Sequence, residues 1–115
     1  MRVKRGFKAR RRRNKVLKRA EGYRGSGSRI YAVAAEKNDR GLVYAYRDRK
    51  AKKREFRKLW ITRISAAAKQ NGTSYSKFMG ALTQSNLDLD RKVLSEIAIA
   101  DPAAFTKIVE QVMPK

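Results

Sequence analysis

"YAYRDRKAKKREFRKLW", residues 44–60, decides how this chain is read. Eight of the twelve residues from Arg47 to Lys58 are Lys or Arg, opposed only by Asp48 and Glu55. The composition favours helix. At about 100° per residue the basic side chains spread around the axis and leave no apolar face to hold the stretch against a protein core. Too few acids stand at i,i+4 spacing to neutralise it. Phosphates approaching from several sides resolve that repulsion. The segment therefore reads as a helix surrounded by a polyanion, until Phe56, Leu59 and Trp60 give it an apolar side. Trp60, flanked by Leu59 and Ile64 at helical spacing, is expected to pack into a core.

The same imbalance runs through the whole N-terminal half. Of a net charge of +20 over 115 residues, residues 1–60 contribute 23 Lys and Arg against 5 Asp and Glu, net +18. Residues 61–115 contribute 7 against 5, net +2. A basic arm thus joins a nearly neutral, more apolar half, and the arm's self-repulsion calls for nucleic acid, an anionic membrane or an acidic protein. A membrane surface requires an apolar face opposite the basic one, which the arm lacks. No apolar run approaches the roughly 20 residues of a membrane span. The start, "MRVKRGFKARRRRNK", has no apolar stretch behind it of the kind a secretory signal needs. Its basic character also continues past the reach of an organellar transit peptide, so it reads as mature protein.

Cysteine and histidine are both absent. That removes disulfides, thiolate metal sites, the commonest metal ligand and the usual general base. There is no Gly-rich phosphate loop. Asp88, Asp90 and Asp101 each stand where a helix should begin, and capping explains them more simply than a metal or acid/base cluster. The reading is a non-enzyme with no catalytic, cofactor or metal site, no small-molecule substrate and no membrane partner.

Along the chain, Ala9 to Ala20 is a candidate helix. "GYRGSGS", 22–28, is the first break, with Ser26 or Ser28 available to cap the second helix. That helix is expected to be long, from about 28 to 71, on the order of 65 Å at 1.5 Å per residue, with a kink near Gly41. Asn71-Gly72 stops it. Tyr75, Phe78, Met79 and Leu82 then form one apolar stripe behind a Ser74 cap. After the loop "SNLDLD", 85–90, Asp90 caps a helix whose inner face is Val93, Leu94, Ile97 and Ala98, with Leu89 stapled to Leu94. Asp101-Pro102 opens the last helix, striped by Phe105, Ile108, Val109, Val112 and Met113. Phe56, Leu59, Trp60, Ile64, Ala67 and Ala68 supply the remaining wall. The fold class is all-α: a long basic N-terminal helical extension, residues 1–55 with a break near 22–28, and a small C-terminal helical domain, residues 56–115.

The tyrosines 23, 31, 44 and 46 can be read two ways, as platforms for unpaired bases or sugars, or as ordinary helix packing. A sequence-reading DNA protein usually presents one recognition helix charged on one side. Charge surrounding long segments suits insertion between packed RNA helices instead. The alternative is a sequence-indifferent DNA-architectural protein.

"RVKRGFKARRRRNKVLKRAEGYRG", "YAYRDRKAKKREFRKLWITRISAAAKQNGTSYSKFM" and "LDLDRKVLSEIAIADPAAF" together resemble the bacterial large-subunit ribosomal protein numbered twenty, over nearly the whole chain. The most specific block runs from Lys53 through Arg57, Leu59-Trp60-Ile61 and Arg63-Ile64-Ser65 to Lys69 and Asn71-Gly72. Two positions depart from the family pattern: Gly27 and Ala32 stand where basic residues are common. The resemblance implies a protein that binds large-subunit ribosomal RNA directly, is needed early in assembly of that subunit and takes no part in the chemistry of translation. It implies an RNA-embedded extension, a small helical domain at the subunit surface, and neighbouring large-subunit ribosomal proteins as partners. It places the chain on the ribosome, in the cytoplasm or an organelle. Some members of the family also repress translation of their own operon by binding its mRNA.

The expected rRNA contacts begin with Arg2, Lys4, Arg5, Lys8, Arg10, Arg11, Arg12, Arg13, Lys15 and Lys18. Arg24 and Arg29 stand at the break. Tyr44, Tyr46, Arg47, Arg49, Lys50, Lys53, Arg54 and Arg57 lie on the long helix. Lys69, Lys77, Arg91 and Lys92 form a smaller set in the C-terminal domain. Contacts of this kind position a chain on folded RNA and carry little base information.

Overall fold

The computed structural model describes residues 1–4 and 6–113. Among them are five α-helices and one 3₁₀ turn, with no strand. Helix α1 is Lys8–Arg19, the 3₁₀ turn is Gly25–Ser28, and α2 is Tyr31–Gln70. Helices α3, α4 and α5 are Tyr75–Gln84, Arg91–Ala100 and Pro102–Val112. The chain divides into two compact units, Met1–Lys50 and Ala51–Lys115, so α2 begins in one and ends in the other.

In the first unit α1 is joined to α2 by small residues and one amide. Ala20 and Ala34 are fully buried. Asn38 is buried too, and its Nδ2 donates to the Val16 carbonyl at 2.8 Å. The same carbonyl accepts the Ala20 N–H at 3.1 Å, so the amide adds a second bond to an acceptor near the C-terminal end of α1. The break between the helices differs from the expected capped start. Neither serine caps α2; Ser28 Oγ donates to the Gly25 carbonyl at 3.2 Å inside the 3₁₀ turn. The Ser26 carbonyl accepts from the N–H groups of Arg29 and Ile30 at 3.0 and 2.9 Å. The turn uses up residues 25–28, so α2 starts at Tyr31, three residues later than expected, and passes Gly41 as one uninterrupted helix.

In the second unit α2 ends as its sequence dictates. Gly72 takes φ +74°, and the N–H groups of Gly72 and Thr73 donate to the Lys69 and Ala68 carbonyls, each at 3.0 Å. That pair of bonds is a Schellman ending, for which glycine supplies the left-handed residue. The three capping side chains are in place. Ser74 Oγ accepts from the Lys77 N–H at 3.4 Å, Asp90 from Val93 at 2.8 Å and Asp101 from Ala104 at 3.0 Å. Asp88, expected to cap as well, stays in the loop, because α4 begins only at Arg91.

Helix α5 packs against α3 and α4. The core they close with the end of α2 is Ile64, Ala67, Ala68, Phe78, Leu82, Leu94, Phe105, Val109 and Val112. Phe78 and Phe105 meet at its centre with ring centroids 5.3 Å apart. Tyr75, Met79, Leu89, Ile97, Ala98, Ile108 and Met113 pack around it, as the stripes and the Leu89 staple predict.

Two expectations for this core are corrected. Phe56 and Leu59 are 45% and 40% exposed, and Trp60 is half-buried but stands outside the core. The reason is reach. Helices of 10 or 11 residues are about 15 Å long and cover only the last turns of α2, from Ile64 onward. Val93, assigned to the inner face of α4, is also exposed. The buried positions there are Leu94 and Ser95, with Arg91 and Ala98 half-buried one turn to either side. Reading serine as polar shifts the face by one position.

Ser95 is fully buried, and its hydroxyl finds no hydrogen-bond partner among the described residues. A buried hydroxyl without a partner costs on the order of 1–3 kcal/mol of desolvation. Ser95→Ala is therefore expected to raise the stability of this unit by about 1 kcal/mol. A urea titration of the full chain followed by circular dichroism measures it, and a loss of stability would show that the hydroxyl is satisfied in solution.

Candidate nucleic-acid interface

Helix α1 carries no acidic residue. Lys8, Arg10, Arg11, Arg12, Arg13, Lys15 and Lys18 are all exposed, as are Arg2 and Lys4 ahead of the helix. Arg5 lies outside the described residues. Lys4, Lys8 and Arg12 border a shallow hollow of about 460 Å³ with Val3 and Ala9. In place of acids, aromatic rings face some of these cations. The Arg11 guanidinium lies 4.1 Å from the centroid of Phe7, and that of Arg13 lies 5.9 Å from Tyr31.

At the break, Arg24 and Arg29 are exposed. Gly27 is buried beneath the Lys37 side chain, which an added Cβ would meet at 2.5 Å. Lys37 Nζ reaches the Arg24 carbonyl at 3.5 Å, so a cation does stand over this turn, delivered from α2. Nothing in the turn's own sequence signals that lysine.

Along α2, Tyr44, Tyr46, Arg47, Arg49 and Lys50 are exposed. Arg47 sits 4.7 Å from the Tyr44 ring, and Lys50 sits 4.3 Å from the Tyr46 ring while donating to its hydroxyl. The tyrosines therefore divide. Tyr23 is half-buried with its hydroxyl against Gly41, an ordinary packing role, whereas Tyr31, Tyr44 and Tyr46 keep exposed ring faces beside cations. Such pairs are worth about 0.5–1 kcal/mol at exposed sites. They supply local support that the scarcity of acids denies this helix.

Among the described residues three ion pairs form: Arg40–Glu36, Arg47–Asp48 and Lys58–Glu55, at 3.4, 2.9 and 3.1 Å. All are exposed, and pairs of that kind contribute little. The Asp48 carboxylate holds the Arg47 proton more tightly than usual, and Tyr44 followed by Glu36 does the same for Arg40. Both arginines stay charged throughout the physiological range.

In the second unit Lys53, Arg54, Arg57 and Lys92 come together around one open groove of about 790 Å³ between α2 and α4. Its walls include Phe56, Leu59 and Trp60, and Lys52, Arg63 and Glu96 complete it. Lys69 and Lys77 are exposed elsewhere on the unit. Arg91 is half-buried, and its Nε donates to the Tyr75 hydroxyl at 2.9 Å, so part of its donor set is already engaged in tying α4 to α3. Lys52 is missing from the contacts expected from the sequence, and so is Arg63. The position of Arg63, seven residues after Phe56, puts it on the aromatic face, a signal visible in the periodicity.

The profile of the ribosomal protein L20 family matches residues 2–108. The chain belongs to that family. The large ribosomal subunit protein bL20 of Desulfatibacillum aliphaticivorans is 64% identical over 108 residues, covering 94% of this chain and 93% of that protein. The bL20 proteins of Desulforapulum autotrophicum and Pelobacter propionicus are 63% and 62% identical over 108 and 107 residues, covering 94% and 93% of this chain and 93% and 92% of those proteins. Membership of the L20 family makes the chain a structural ribosomal component and not an enzyme. Among the described residues no helix is long and apolar enough to cross a membrane, and no group of His, Cys, Asp and Glu could hold a metal ion.

Proposed function

We propose that this chain binds large-subunit ribosomal RNA directly and serves as a structural and early assembly protein of the large ribosomal subunit, on cytoplasmic ribosomes. Residues 1–55 act as the RNA-embedded extension and residues 56–115 as the small globular domain. Neighbouring large-subunit proteins are its protein partners. One observation carries the reading: most of the 23 Lys and Arg of residues 1–60 are exposed on helices with five acids among them, and only three exposed ion pairs form among the described residues. Helices of that kind need phosphates, and phosphates on several sides at once are what packed RNA helices provide.

Competition between folded large-subunit RNA and duplex DNA of equal charge, run across a salt series, tests it. Counterion release alone is indifferent to the shape of the polyanion. The expected result is that the RNA displaces the protein from DNA at every salt concentration, with the preference widening as salt rises. Equal competition throughout would make the chain a sequence-indifferent DNA-architectural protein.

A further inference from the structure

We infer that the groove between α2 and α4 receives unpaired RNA bases, stacked on Trp60 and Phe56. This rests on the RNA-binding reading above and names the part of the RNA that this surface takes. Residues 56, 59, 60 and 63 recur at i, i+3, i+4 and i+7, the spacing that elsewhere in this unit turns Tyr75, Phe78, Met79 and Leu82 toward the core. Here the stripe stands outside the core of the described residues, with Phe56 and Leu59 45% and 40% exposed and Trp60 half-buried. A helix that carries an exposed Phe56 and a half-buried Trp60 at consecutive turns is left with a surface suited to a flat apolar partner.

The geometry favours bases over an aliphatic partner. The Phe56 and Trp60 rings are 6.3 Å apart and inclined by 40°, a tilted pair of which both members line the groove. Arg57, Arg63 and Lys92 stand at the rim against a single carboxylate, Glu96. Lys52 Nζ lies 5.9 Å from the Phe56 centroid. The charge run of α2 leads directly into this place, so a strand held by its phosphates along the helix arrives with its bases beside the rings. The volume, about 790 Å³, leaves room for more than one base. Aromatic stacking combined with a cationic track is how unpaired strands are held without sequence preference.

Trp60 is the chain's single tryptophan, so its fluorescence reports on this groove alone. The full chain is titrated with an oligoadenylate of about ten nucleotides, within the range one binding surface accommodates. A hairpin duplex with the same number of phosphates is the control. The single strand is expected to quench Trp60, whereas the duplex binds through the cations, seen by anisotropy, without quenching. Phe56→Leu and Trp60→Leu should each weaken single-strand binding by roughly tenfold, as one lost base stack of about 1.4 kcal/mol predicts, and leave duplex affinity within about twofold. Both residues lie outside the core, so the helical spectrum and melting point should hold in each variant. Single-strand binding with no quenching and no effect of either substitution would overturn the groove assignment while leaving RNA binding intact. A Glu-rich amphipathic peptide that shifts Trp60 emission where the oligonucleotide does not would overturn it in favour of a protein partner. Failure of the unmodified chain to bind either RNA would instead sink the functional reading beneath it.

Discussion

Replacing Phe78 with alanine should strip the C-terminal helices of about a third or more of their folding stability. Phe78 is fully buried, and its ring meets that of Phe105 at 5.3 Å in the centre of the core. Truncating a core phenylalanine costs about 3–5 kcal/mol, part lost transfer energy and part residual cavity. A domain of this size has a total stability of roughly 3–10 kcal/mol at 0.05–0.15 kcal/mol per residue. The substitution therefore removes a large share of what the unit has. In a small domain each kcal/mol shifts the melting temperature by about 4–8 °C, so a fall of more than 10 °C is expected in a thermal melt of the full chain. Phe56→Ala is the internal control. The residue type is the same, but it is 45% exposed and outside the core, and the change should cost less than about 1 kcal/mol. Equal effects from the two would mean that the groove residues are buried in solution and that the core extends along α2 as the sequence alone implies.

That contrast marks where the sequence is legible and where it stops. Helix ends are decided within a few residues, so Ser74, Asp90, Asp101 and Asn71-Gly72 can be read directly, and each cap and the Schellman ending are found in place. Apolar stripes on short helices are equally plain, because α3 and α5 have only one face each to bury. The position of a stripe says nothing of whether a neighbour is long enough to cover it. Phe56, Leu59 and Trp60 read as core for that reason and stand beyond the reach of the short helices. Two buried polar residues likewise leave no mark in the local sequence. Ser95 is buried because α4 turns that face inward, and Asn38 is buried because α1 offers it the Val16 carbonyl. The Val16 carbonyl lies 22 residues from Asn38 in the sequence. The candidate interface is more legible than the core, since exposed cations require no neighbour to be exposed. Where tertiary contact does matter, as for Arg91 on Tyr75 and Lys37 over Gly27, no local pattern signals it.

Changing Arg10, Arg11, Arg12 and Arg13 together to glutamine should weaken binding to folded large-subunit RNA by roughly two to three orders of magnitude near physiological salt. All four are exposed on a helix without a single acid, so their counterions are either dissolved anions or phosphates. If phosphates, each contact releases a condensed ion on binding, and the logarithm of affinity falls with the logarithm of salt by about one per contact. The unmodified chain should lose about 10³–10⁵ in affinity between 50 and 200 mM salt if it makes about 6–10 such contacts. The fourfold variant should show a slope shallower by about four. Glutamine nearly matches arginine in helix propensity, so a loss of affinity cannot be assigned to a melted α1 if the helical signal is kept. The two cation–ring pairs in this run, Arg11 with Phe7 and Arg13 with Tyr31, are lost as well, but at about 0.5–1 kcal/mol each they concern helix support and have no strong dependence on salt. The slope therefore separates the two roles. Weaker binding with an unchanged slope would mean that these arginines hold α1 in shape and that the phosphates lie elsewhere, whereas a shallower slope with an unchanged urea midpoint for the C-terminal helices makes the run part of the RNA contact itself.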